Sequence, residues 1–95
     1  MATQLTIDER IDEDLRFLYE EWLSVDATVA EWPRMDGIDR EVFILEWSGI
    51  NDGKLAELKS LTDQMTPAQK RRYDELLALA AEKRPALEKL QQFSI

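Results

Sequence analysis

A single apolar stripe does most to limit what this chain can fold into. Ile11, Leu15, Leu18, Trp22, Val25 and Val29 recur at spacings of 4, 3, 4, 3 and 4. Only a helix brings residues so spaced onto one side. The segment has a marked start, because Thr6-Ile7-Asp8-Glu9 fits a capping box in which hydroxyl and carboxylate satisfy free backbone N–H groups. Asp8, Glu9, Asp12, Glu13 and Asp14 then crowd the first turns, where the helix dipole favours negative charge. Trp32-Pro33 ends it, since proline forces its predecessor out of helical geometry. Residues 7–31 therefore read as one helix, about 37 Å long at about 1.5 Å per residue, with a break allowed near Ser24-Val25-Asp26.

A second boundary is equally sharp. Thr66-Pro67-Ala68-Gln69 sets a cap, a first-turn proline and a capping-box glutamine in register. Tyr73, Leu76, Leu77, Ala80, Leu87 and Leu90 continue helically, so residues 67–92 read as a second long helix that Pro85 must kink or divide near Arg84. Between the two lie shorter elements. Asp36 or Asp39 can cap a helix over 38–48, in which Ile38, Val42 and Leu45 hold helical spacing while Phe43, Ile44 and Trp47 fill the other sides. An element apolar nearly all round is expected to be buried. Ser48–Gly53 reads as a turn, and Leu55, Leu58 and Leu61 mark a helix over 53–63.

These lengths predict an all-α fold, a small antiparallel bundle of two long helices at 7–31 and 67–92 with two short helices between them. The short pair either stacks end to end as a broken middle arm or folds as a hairpin. In the first arrangement the two long helices run parallel. Charge agrees with that. Residues 1–53 carry fourteen Asp/Glu against four Lys/Arg, and residues 54–95 six against eight, making the −8 of the whole. Parallel long helices would set Asp8–Asp14 beside Lys70-Arg71-Arg72.

At 95 residues and 44 % apolar content the chain is expected to form one domain with one modest core. Its beginning lacks the basic start and apolar run of a signal peptide, and no apolar stretch nears the ~20 residues that cross a bilayer. A cytoplasmic protein without membrane contact is the expectation. A net −8 works against nucleic-acid phosphates, which are held mainly by Lys and Arg.

Catalytic options are few. The chain has no His and no Cys, which removes the usual neutral-pH base, the commonest zinc ligand and the strongest nucleophile. Gly49–Leu55 imitates a phosphate loop one residue short, with Leu55 where a hydroxyl must reach the metal. Glu9, Asp12, Glu13 and Glu20 share helical spacings that suit Mg²⁺ in phosphate-ester hydrolysis, although their place in the first turns already accounts for them. No catalytic residue, cofactor or metal is expected.

The apolar surplus points elsewhere. Tyr19, Leu23, Ala27 and Ala30 form a second stripe beside the first, and Phe17 is extra. The three tryptophans read as core, with Trp32 the most exposed of them. Phe17, Tyr19, Leu23, Ala27 and Trp32 are thus the candidate interaction surface, through which the chain is expected to form a homodimer or dock a protein partner. Lys83, Arg84 and Lys89 are available to meet acids of a second copy at its rim. The function expected is a non-catalytic interaction protein of antitoxin or adaptor type. The alternatives are a Mg²⁺-dependent phosphohydrolase and a nucleic-acid mimic that occupies a basic groove.

Overall fold

Residues 6–92 are described by a computed structural model of the protein, with side chains placed through residue 90. In chain order it has α1 (Ile7–Leu23), α2 (Val25–Glu31), a 3₁₀ turn (Trp32–Arg34), α3 (Gly37–Glu46), a π-helical turn (Trp47–Asn51), α4 (Asp52–Ser60), a 3₁₀ turn (Thr62–Gln64) and α5 (Pro67–Gln92). Among the described residues there is no strand.

Both capping boxes form. The Glu9 N–H donates to Thr6 Oγ1 at 3.1 Å, and the Thr6 N–H donates to Glu9 Oε1 at 3.4 Å. Gln69 and Thr66 repeat the exchange at 3.1 and 2.9 Å. The first arm bends between α1 and α2 at Ser24, whose hydroxyl donates to the Glu21 carbonyl at 2.7 Å and competes with the helical ladder. α2 ends at Glu31, where the sequence puts the end, but not for the expected reason: Trp32 keeps helical angles (φ −51, ψ −44), a 3₁₀ turn carries the chain past Pro33 to Arg34, and the backbone first extends at Met35.

The middle arm differs from expectation. Ser48–Gly53 does not turn the chain. Asn51 (φ −71, ψ −45) and Asp52 (φ −66, ψ −36) stay right-handed helical, and no described residue has positive φ. The π turn has a packing cause. Phe43, Trp47, Asn51 and Leu55 follow one another at steps of four, which would carry an ideal α-helix about 120° around its axis. Local underwinding keeps them on the inner side, where Trp47 meets Trp22 edge-on at 4.8 Å and Asn51 Nδ2 donates to Glu21 Oε1 at 3.4 Å. The two short helices thus stack end to end.

Ion pairs and hydrogen bonds fix the directions. Asp8 and Asp12 meet Gln69, Asp12 meets Arg72, and Asp26 meets Lys83, so partners rise together and α1–α2 runs parallel to α5. Arg10 meets Glu57, Asp14 meets Lys54, and Glu21 meets Asn51, so α4 runs against α1. The result is a small all-α bundle, compatible with the antiparallel arrangement expected from the lengths, and the acidic start of α1 lies beside the basic start of α5. Between the arms the core gathers Ile11, Leu15, Leu18, Trp22, Val25, Trp47, Leu58, Tyr73, Leu76, Ala80 and Leu87. Ile11, Leu18, Leu58 and Leu76 are fully buried, each worth about 1.5–3 kcal/mol of transfer free energy.

Pro85 does not divide α5, which continues to Gln92. The carbonyl that loses its helical donor belongs to Ala81, an exposed residue, where water can replace the bond.

Candidate functional site

The least covered apolar surface lies on α3. Asp36 starts this helix, its carboxylate accepting the Asp39 N–H at 2.7 Å. The inner side is held by aromatic contact, with the Phe43 ring 5.8 Å from Trp32 and 5.7 Å from Trp47. Among the described residues the outer side of α3 is the open one. No residue of α3 is fully buried; Ile38 is 73 % exposed, Leu45 71 % and Val42 45 %. This overturns the expectation that a helix apolar on all sides would be enclosed. One side of α3 packs on the aromatic cluster, and among the described residues no further helix covers the other.

Ile38, Val42 and Leu45 follow each other at steps of four and three, the seam of a two-helix packing. Asp39 and Glu46 flank it on one side, Glu41 and Ser48 on the other, and all four are exposed. The ion pairs of the described residues use none of these three acids.

The predicted surface is dispersed. Tyr19 (40 % exposed), Leu23 (52 %) and Ala27 do line one open stripe of the first arm. Phe17 lies elsewhere, half-buried against the core with the Lys54 ammonium 5.2 Å from its ring centroid. Trp32 is buried, as the reading of the three tryptophans as core has it, and so drops out of the predicted surface. Phe43 covers one edge of its ring, and the Arg40 guanidinium lies 5.5 Å from the ring centroid. Two of the cations assigned to a dimer rim are engaged within the chain. Lys83 Nζ lies 2.6 Å from Asp26 Oδ2, and Arg84 sits 5.3 Å from the centroid of Trp22.

Asp8, Asp12 and Asp14 of α1 are held by cations and amides. Asp12 Oδ1 accepts from Gln69 Nε2 at 3.0 Å and Arg72 Nη1 at 3.3 Å, while Asp8 Oδ1 accepts from Gln69 Nε2 at 2.9 Å. Asp14 is buried, with Oδ1 3.2 Å from Lys54 Nζ and Oδ2 unpartnered. Among the described residues no three metal-ligating side chains converge. Glu9, Asp12 and Glu13 instead border a surface depression together with Arg16 and Arg72. The Asp26 carboxylate, accepting a hydrogen bond from Lys83, holds that ammonium's pKa above its ordinary value, against a smaller opposing effect of desolvation.

One cavity of about 600 Å³ opens between the second half of the first arm and α5, lined chiefly by Val29, Trp32, Pro33, Pro85, Ala86 and Leu90. Its charged lining groups are Glu82 and Lys89. No described helix is long and apolar enough to cross a membrane. Comparison of the chain with known protein families, curated proteins and solved structures gives no match.

The α3 seam is the surface that periodicity alone assigned to the wrong side. The sequence does place Asp39, Glu41 and Glu46 beside the Ile38–Val42–Leu45 stripe, but Asp39 and Glu46 stand equally close to Phe43, so charge alone does not tell the two sides apart.

Proposed function

We propose that this chain is a small non-catalytic helical protein that acts by binding other proteins, with the outer seam of α3 as its docking face. The observation that supports the reading is the exposure of Ile38 and Leu45, 73 % and 71 %, one helical face apart from the packed aromatics. Large aliphatic side chains lose about 1.5–3 kcal/mol each by staying in water. Three of them in one row mark an interaction site better than they mark a free surface.

The test is a double substitution, Ile38→Asp/Leu45→Asp. Both side chains are exposed, so stability should change little, within roughly 0.5 kcal/mol per site. A partner captured by the wild-type protein and cross-linked through α3 should be lost with the variant. Undiminished capture and cross-linking would sink the reading.

A second reading, homodimerisation through Tyr19, Leu23 and Ala27, is supported by the openness of that stripe. Light scattering should then give a dimer mass. Leu23→Asp should weaken it far more than Arg84→Ala, whose contact is with Trp22 of its own chain. A monomer mass over the whole accessible concentration range would remove it.

A further inference from the structure

We infer that the occupant of the α3 seam is an amphipathic helix of another protein whose apolar stripe is bordered by Lys and Arg, and not a second copy of this chain. The inference rests on the reading of α3 as a docking face and adds the chemistry of the partner. Ile38, Val42 and Leu45 follow at steps of 4 and 3, which are the seam positions of a helix pair. The residues that then border the seam are Asp39 and Glu46 on one side and Glu41 and Ser48 on the other. In helix pairs these border positions choose the partner and its direction.

A second copy fails that choice in both orientations. Paired parallel, Glu41 of one chain meets Glu46 of the other. Paired antiparallel, like borders face each other, and acid again meets acid. Arg40 cannot relieve this, because it lies on the inner side and donates to the Trp32 carbonyl through Nε and Nη2. The whole chain adds to the repulsion with its net charge of −8. A helix with Lys or Arg at its borders turns each of these contacts into an attraction. The seam from Ile38 to Leu45 is only about 10 Å long at about 1.5 Å per residue, so so few apolar contacts leave charge a large share in selecting the partner.

The experiment uses the full chain and two synthetic amphipathic helices with the same apolar seam, one bordered by Lys and the other by Glu. Binding is read by fluorescence anisotropy of the labelled peptides. The Lys-bordered helix should bind at least about tenfold tighter, and its advantage should shrink as ionic strength rises from about 0.01 to about 0.15 M. Glu41→Lys/Glu46→Lys should reverse the preference toward the Glu-bordered helix, an outcome that a misfolded variant cannot produce. Ile38→Asp/Leu45→Asp should abolish both. Equal binding of the two peptides, sensitive to Ile38→Asp/Leu45→Asp but not to salt, would overturn the charge assignment and leave the docking face standing. Binding of neither peptide would overturn both. Sedimentation showing self-association lost in Ile38→Asp/Leu45→Asp would replace the partner with a second copy.

Discussion

Arg40 grips Trp32 twice, by its backbone and by its ring. Its Nε and Nη2 donate to the Trp32 carbonyl at 3.0 and 2.6 Å, and its guanidinium carbon lies 5.5 Å from the centroid of the same residue's ring. The carbonyl belongs to the 3₁₀ turn that ends the first arm, so this one side chain ties α3 to the bundle where no α3 residue is fully buried. Arg40→Ala should cost about 1–2 kcal/mol, the low end for charge-assisted hydrogen bonds because Arg40 is half-exposed. Amide exchange should accelerate most in α3, and Arg40→Lys should restore little, since an ammonium cannot reproduce the forked contact. Uniform acceleration across all helices would contradict this.

Gly49 and Gly53 test the continuity of the middle arm. Both have helical neighbours, neither has positive φ, and an added Cβ at either would meet nothing within 4 Å. Gly49→Ala and Gly53→Ala should therefore each stabilise the fold by about 0.5–1 kcal/mol, by lowering the freedom of the unfolded chain. A turn at Ser48–Gly53 would instead be strained by alanine. Urea unfolding of the two variants decides: loss of stability in both means that the chain turns there.

The Asp14–Lys54 pair joins α1 to α4 through a buried carboxylate, and its two partners should respond differently to removal. Lys54→Met leaves the Asp14 charge buried with one oxygen already unpartnered, and should cost about 1–3 kcal/mol. Asp14→Leu removes that charge and fills the space with apolar atoms, so it should be neutral or stabilising. Chemical denaturation of both variants at neutral pH checks the order. If Asp14→Leu is the more damaging, the carboxylate has a role beyond this pair.

What could be read from the sequence depended on whether local chemistry or packing decided each feature. Thr6/Glu9 and Thr66/Gln69 are caps whose partners lie three residues away, so helix starts were visible without a fold. Trp32-Pro33 marks the end of α2 in the sequence, although Trp32 itself stays helical and the chain extends only at Met35. The Ser48–Gly53 stretch was not legible in this way. Its residues favour a turn locally, and the contacts of Trp47 with Trp22 and Asn51 with Glu21, from thirty or so positions away, hold it helical. The exposure of Tyr19, Leu23 and Ala27 was legible because the first stripe already fills the inner side. Ile38, Val42 and Leu45 were given to the core because Phe43 and Trp47 on the other side looked no different by hydropathy. Only the Phe43–Trp32 and Phe43–Trp47 contacts show which side packs.

Alkaline pH should loosen the joint between α2 and α5. Lys83 reaches across to Asp26 at 2.6 Å with its side chain only 18 % exposed, and the hydrogen bond to that carboxylate raises its pKa above the ordinary 10.5. The folded chain thus holds this proton more tightly than the unfolded chain does. The stability it contributes is complete below the unfolded value and is lost as pH rises through the folded one. Wild type is compared with Lys83→Gln at each pH, which isolates this contact. Their difference in unfolding free energy should be constant at neutral and mildly alkaline pH and should shrink above about 10.5. Asp26→Asn should erase the same pH dependence, since it removes the group that holds the proton. A difference that stays flat through this range would mean that the Asp26–Lys83 contact adds no stability in solution.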